Sequence, residues 1–417
     1  MKKGIVILGC GLSGMLTALS FAKRNIKTTI LEYQSINAIN FGTDIRTTAL
    51  TPASVKFLNN INIWDKLEIF ASKMLEVYVV DNKAPEMLWL KDVKNNEPLG
   101  YIISNNDLKK ILLEEVKQNA LIEIIDQFDY QKVESQNDQT IIYYQHTKLP
   151  SDDFAARRGG AKPIDNRQAL SNNACKFISE EYKMIQSDLL VVCDGVNSKV
   201  RSYYFSNKIE KTYQQTALTF NIRHNKSHDN CAIEHFMPSG PFAILPLKNP
   251  FCSSVIWSTA ERQAPLLLNL SKEQLEYLVN KNCGNSLGII QIDSEISTFP
   301  LKARVSNKYF YNRIVLVADS AHLIHPLAGQ GLNQGIKDID TLTQLIFDRE
   351  IHQETLAQYH KLRQEDNFIM YMITENLNSI FSNHSKALWY LRRLGFVTID
   401  KVQFVKNFIL QYAMGKR

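Results

Sequence analysis

Residues 318–331 read Ala-Asp-Ser-Ala-His-Leu-Ile-His-Pro-Leu-Ala-Gly-Gln-Gly, and two kinds of chemistry could use them. His322 and His325 stand three apart, a spacing that can hold a metal ion. Gly329, Gln330 and Gly331 lead into a helical pattern, and a glycine turn opening a helix offers unpaired N–H groups to an anion. No Cys, Asp or Glu is arranged nearby to complete a metal site, so the anion is favoured and no metal is expected. The two histidines are then expected to support the loop.

The N-terminus holds a second anion site. Gly9, Gly11 and Gly14 form G-x-G-x-x-G between an apolar run (residues 5–8) and a helical pattern marked by Leu16, Leu19 and Phe21. Gly9 suits a tight turn, Gly11 the approach of backbone to a pyrophosphate, and Gly14 close helix–strand packing. Glu32 ends the next strand, placed to accept hydrogen bonds from an adenosine ribose. The motif binds a dinucleotide without separating NAD from FAD. Cys10 reads as a small residue filling the turn.

Two further segments have polar residues where a strand ends. Residues 189–193 form a buried strand that breaks into Asp194-Gly195, followed by Ser198 and Arg201. Residues 314–317 form another, breaking at Asp319 before a helix that starts near Leu332. Such strand ends are where open α/β sheets take ligands. Asp44 to Leu50, with Arg46 in the middle, reads as a polar turn opening a helix.

The ordered set G-x-G-x-x-G, D-G and D-S-A-H-x-x-x-P-x-x-G-Q-G-x-N resembles the FAD-dependent aromatic hydroxylases, the single-component flavin monooxygenases. Residues 99–112, 240–247, 356–383, 391–396 and 413–415 are similar to its ubiquinone-biosynthesis branch, so the likeness spans nearly the whole chain. It implies an α/β fold: a Rossmann-like FAD-binding domain, a mixed-sheet substrate domain like that of para-hydroxybenzoate hydroxylase, and a C-terminal helical region. The corresponding division is 1–80, 101–209 and 300–355 for FAD, 81–100 and 210–299 for the substrate sheet, and 356–417 for the helices.

The resemblance also implies roles. Gly9, Gly11 and Gly14 would hold the FAD pyrophosphate, Glu32 the ribose, and Asp319 the ribityl chain. Arg46 would lie beside the pyrophosphate and the NAD(P)H route, and Asp194-Gly195 would serve both nucleotides. Pro326 belongs to the same motif, and the backbone of Gly329, Gln330, Gly331, Leu332 and Asn333 would face the flavin. The implied reaction is NAD(P)H- and O₂-dependent hydroxylation of a polyprenylated phenol or benzoquinol. Alternatives are a flavin-dependent reductase on the same fold or a hydroxylase of another aromatic; the W-x-W-x-I-P pattern of flavin halogenases is absent. No acid–base constellation emerges, so the catalytic base is unknown. Ala318 departs from the pattern, standing where the family has Gly, and is tolerable if φ there is negative. Gln334 and Lys337 stand where Leu and Arg are frequent.

The bulk properties fit this reading. The chain has 417 residues, 45% hydrophobic and 22% charged, with net charge +6. Its basic residues are dispersed, which argues against nucleic acid and leaves room for weak attraction to anionic lipid. The six cysteines (10, 175, 193, 231, 252, 283) form no C-x-x-C and suit a reduced, cytoplasmic chain. No run reaches a membrane-spanning length, and the glycine motif explains the N-terminus better than an export signal does. The expected location is cytoplasmic; the polyprenyl substrate and a basic, apolar-faced tail (355–417) add a peripheral contact with the inner membrane or a biosynthetic complex as a further expectation. Phe236, Pro246 and Trp257 are candidates to line a substrate pocket, and Glu234 either meets substrate or faces solvent. Residues 148–176 read as a surface insertion between two hairpin strands, with Ala-Arg-Arg-Gly-Gly-Ala-Lys as an alternative anion site.

Overall fold

Four consecutive apolar residues, Ile-Val-Ile-Leu, are stable as a strand only when both faces are covered. In the computed structural model Ile5–Leu8 is such a strand, fully buried inside a six-stranded sheet. The structure describes residues 4–38, 44–81, 87–93, 95–136, 138–146, 183–383, 385, 390, 392 and 414–415. The sheet runs Phe310–Tyr311, Ile314–Leu316, Leu189–Val192, Ile5–Leu8, Thr28–Leu31, Ile122–Ile125. All neighbours are parallel except the first pair. In this register Leu8, Val192 and Leu316 lie side by side, so Gly9, Asp194 and Asp319 all emerge from one edge.

A second, nine-stranded sheet contains Glu76–Asp81, Met87–Lys91, Asn207–His224, Cys231–Met237, Gly240–Pro246, Cys252–Ala260, Ile290–Ile292, Ser297–Ser306 and His322–Leu323. One face buries Leu218, Phe220, Phe242, Ile244, Val255 and Trp257 under the helices Ala264–Leu268 and Lys272–Asn282. Side chains alternate along a strand, so Ala217, Thr219, Glu234, Phe236, Ala243 and Ile256 lie on the opposite face. That face meets a separate three-stranded sheet, where the Thr47 hydroxyl donates to Ser254 Oγ at 3.2 Å. Pro246 and Trp257 therefore do not line this side: they share the helix-covered face, Trp257 edge-on to Phe242 at 5.4 Å. Phe236 is on the inner face and stacks on Phe381 at 4.1 Å.

The segment 44–50 differs from expectation. Thr47–Leu50 is a strand, antiparallel to Gly100–Ser104, and the helix starts only at Pro52 with Thr51 as its cap. Two threonines favour extended backbone, and Asn333 secures it by donating to the Ala49 carbonyl at 2.8 Å. Thr140–His146 and Lys183–Ser187 pair antiparallel, as expected for strands flanking an insertion. Residues 148–176, with their candidate anion site, lie outside the described residues, as do Cys175 and most of the tail beyond residue 383. Arg392 is described: it is buried and paired with Asp81 at 2.8 Å rather than presented on a basic surface.

A buried charge network joins the sheets to the long helix Gln353–Phe381. Asp338, on the helix Gln330–Asp348, accepts from Arg363 Nε at 2.8 Å, Asn367 at 3.0 Å and the Ala318 N–H at 3.0 Å, and meets His322 Nε2 at 2.7 Å. Burial pushes its carboxyl pKa up, but the His322 and Arg363 charges outweigh that and hold it at about 2. Removing one partner of a buried pair strands the other, at a cost of about 3–5 kcal/mol. Asp338→Ala is therefore expected to lower stability by about that amount, read as a fall in the urea midpoint. Because the folded pKa lies below the unfolded value, Asp338's stabilisation is complete at neutral pH. It should be lost as pH falls from about 4 toward 2, and the variant's stability should change less over that window.

Candidate functional site

Gly9 leaves its strand at φ 101°, and a Cβ there would stand 2.8 Å from the Cys193 carbonyl. At Gly14 a Cβ would lie 1.9 Å from the Gly9 carbonyl, so the first turn of the helix Leu12–Lys23 sits directly on the loop. Gly11 is different. No protein atom lies within 4 Å of its would-be Cβ, and no side chain caps the helix that begins there.

The helix Gln330–Asp348 repeats this arrangement. Its N-cap, Gly329, has φ 61° and no capping side chain, and Gly331 also faces open space. The two helices lie against each other through Ser20 and Thr343, whose hydroxyls are 2.9 Å apart. Two uncapped N-termini thus present unpaired N–H groups and positive dipole ends beside open space. The donor set fits a diphosphate and a ring that gains negative charge.

Carboxylates border this space. Glu32 accepts from the Cys10 N–H at 2.6 Å and the Gln34 N–H at 3.0 Å, which ties it to the glycine loop. Asp194 is half-buried against Gly9; its Oδ1 has no partner among the described residues, and burial, helped by Glu32, pushes its pKa up to about 6. Gly195 turns the chain away at φ 81°. Asp319 reaches water yet lies on the floor of a cleft: desolvation raises its pKa, opposed by the charges of His322 and Arg46. Arg46 itself forks onto Asp44 at 2.7 and 2.6 Å.

The remaining candidates occupy the turn between Asp319 and the helix. Pro326 precedes the short turn Leu327–Gly329, and Gln330 and Leu332 lie half-buried in the first helical turn. The Asn333 side chain is fully engaged, accepting from Thr51 N–H and the Ser54 hydroxyl and donating to Ala49 and Gly329 carbonyls. Only its backbone is left for a ligand.

The histidines serve the loop. His322 is committed to Asp338. His325 Nδ1 accepts the Leu327 N–H at 3.3 Å, so Nε2 carries the proton toward Gln215 Oε1 at 3.4 Å. Burial lowers the His325 pKa to about 4, leaving it neutral at pH 7. Among the described residues no three His, Cys, Asp or Glu stand close enough to hold a metal ion.

Ala318 has φ 56°, so the condition of a negative φ is not met and the backbone adopts a glycine-like conformation. Of the other eight described non-glycine residues with positive φ, seven are Asn or Asp, which tolerate that region far better than Ala, and one is Gln127. Room for the methyl comes from Gly335, where a Cβ would stand 2.6 Å from the Ala318 Cβ. Gly335 was not singled out in the sequence, although a glycine inside an amphipathic helix is a packing signal. Asp338 and Arg363 were missed as well, because a buried acid and its partner resemble ordinary helix surface residues.

A family model described as an FAD binding domain matches residues 168–366. Relatives along the chain include "Ubiquinone hydroxylase UbiL" of Rhodospirillum rubrum, 28% identical over 99% of this chain and 89% of that protein. "3-demethoxyubiquinol 3-hydroxylase" of Escherichia coli is 26% identical over 99% and 98%. Among solved structures, p-nitrophenol 4-monooxygenase PnpA from Pseudomonas putida shares the fold at TM-score 0.74, with 15% identity over 99% of this chain and 98% of that one. The chain is a flavin-dependent monooxygenase, an FAD-containing α/β protein with a second mixed sheet. Along nearly its whole length it is similar to proteins named as ubiquinone-pathway hydroxylases.

Two glycines with opposite surroundings give a direct test of the cradle. Gly11→Ala should leave the melting temperature of the apoprotein unchanged and weaken FAD at least tenfold, measured by flavin fluorescence. Gly14→Ala should unfold or strongly destabilise the chain. Ala318→Gly relieves a left-handed alanine and should add about 1 kcal/mol of stability, read as a melting temperature about 2–4 °C higher.

Proposed function

We propose that this protein hydroxylates a polyprenylated phenol or benzoquinol in ubiquinone biosynthesis, drawing electrons from NAD(P)H and oxygen from O₂. The carrying observation is the likeness, over 99% of the chain, to proteins named as ubiquinone-pathway hydroxylases. In this reading the N–H groups after Gly11 hold the FAD pyrophosphate, Glu32 the ribose and Asp319 the ribityl hydroxyls. The first turn after Gly329 faces the flavin's pyrimidine edge, where negative charge develops on reduction. Arg46 and Asp194-Gly195 border the route for NAD(P)H. Bound FAD supplies the reduction and oxygen-activation chemistry; the protein positions the ring and excludes water.

The six-stranded unit acts as the nucleotide domain and the nine-stranded sheet as a roof over the substrate. A polyprenyl tail partitions into the bilayer, so a peripheral membrane contact or a contact with other biosynthetic enzymes belongs to this reading. No described helix is long and apolar enough to cross a membrane.

With FAD-loaded protein, NAD(P)H oxidation should speed up on adding a short-chain 2-prenylphenol, with matching O₂ uptake and a ring-hydroxylated product. Reduction of the added compound without O₂ consumption would instead make this a reductase. A strain lacking the protein should accumulate a ring-deficient quinone precursor; an unchanged quinone profile would discard the pathway assignment.

A further inference from the structure

Glu234 is a half-buried acid with no partner among the described residues. It stands on Cys231–Met237, whose other face sends Ile233 and Met237 into the helix-covered core and His235 Nδ1 to the Asn282 carbonyl at 2.8 Å. Glu234 points the opposite way, with Ala232 and Phe236, toward the flavoprotein cleft. Its lateral neighbours in the sheet are Val79 on one side and Ala243, then Ile256 and Thr219, on the other. Among the described residues it makes no hydrogen bond or ion pair.

Among the described residues, the nearby charges on this face are already paired. Asp81, on the same face of the adjoining strand, is neutralised by Arg392. Glu375 on the long helix is held by Lys211 and by the Tyr213 hydroxyl, and Phe381 at the end of that helix stacks on Phe236. Desolvation alone pushes the Glu234 pKa up to about 7. Across the floor of Ala243 and Ile256, three strand spacings or roughly 14 Å away, the buried Thr219 hydroxyl also has no partner among the described residues. A desolvated acid without a partner gains free energy when a donor reaches it. The matching ligand is a flat apolar group, seated on Ala243 and Ile256, that carries one hydroxyl donor at its edge.

We propose that Glu234 receives the ring hydroxyl of the substrate, accepting first its hydrogen bond and then its proton. The ring O–H bond breaks, the proton moves to a Glu234 carboxyl oxygen, and the electron pair stays on the ring oxygen. The resulting phenolate is richer in electrons at its ortho and para carbons, the positions a hydroxylase must attack. Nothing is oxidised in this step. The inference rests on the hydroxylase reading and assigns the proton acceptor that the motifs leave open. Because the acceptor must be ionised, turnover should rise with pH through about 7.

Two readouts test it. Binding of 2-prenylphenol and of its methyl ether to the FAD-loaded protein is followed by flavin fluorescence; the wild type should prefer the phenol at least tenfold, and Glu234→Leu should erase that preference. Glu234→Gln keeps the shape and loses the charge, so kcat should fall about a hundredfold and its rise through neutral pH should vanish. Glu234→Asp should restore part of the pH-dependent limb, and KM should change little. If Glu234→Gln keeps the wild-type pH profile and Glu234→Leu keeps the phenol preference, the proposal is overturned while the hydroxylase reading stands. If the wild type shows the Glu234-dependent preference but never hydroxylates a prenylphenol, the functional reading fails and the phenol site remains.

Discussion

Asp338 carries its charge in the protein interior without contact to water, and the lip of the cleft is arranged around it. One oxygen takes the Ala318 N–H and His322 together; the other takes Arg363 and Asn367. These bonds bind the turn after Ile314–Leu316 to two helices. Asp319 is the next residue along, so its direction into the cleft follows from a bond made by its neighbour. Such a network is a weak source of net stability, because desolvation offsets much of the attraction. Its value lies in geometry, since every member constrains the others.

The same turn shows how strain is accommodated. A left-handed alanine costs about 1 kcal/mol, and the missing Cβ of Gly335 gives its methyl a place to go. Glycine inside a helix carries an entropic cost of similar size. The two costs fall on a segment clamped by the Asp338 network and by Asn333, which joins Ala49, Thr51 and Ser54 to the motif helix. Arg201 adds a further tie by donating to carbonyls of Val196 and Ser320, linking the D-G loop to the D-S-A-H turn.

The glycine loop, Glu32 and the buried strands were legible because each depends on neighbours close in sequence. Gly14 has to be glycine because the Gly9 carbonyl is one helical turn away, a contact made in any strand–turn–helix of this kind. Other readings failed where a partner came from afar. Residues 47–50 looked like the approach to a helix until Gly100–Ser104 and Asn333 supplied bonds for an extended strand. Pro246 and Trp257 looked like pocket residues, since a strand's alternation tells which side chains share a face but not which face meets the cleft.

By itself the sequence determined that a dinucleotide is bound at a glycine turn, that three strands end in polar residues, and that the motif order is that of the FAD-dependent hydroxylases. These are properties of short stretches, governed by backbone sterics and side-chain periodicity. Only the tertiary structure decided that Leu8, Val192 and Leu316 stand side by side, because strand order is set by long-range pairing. It also decided that His322 serves Asp338, and that Glu234 faces inward with no partner among the described residues. Burial and charge pairing depend on what the rest of the chain brings to a residue, and no local pattern records that.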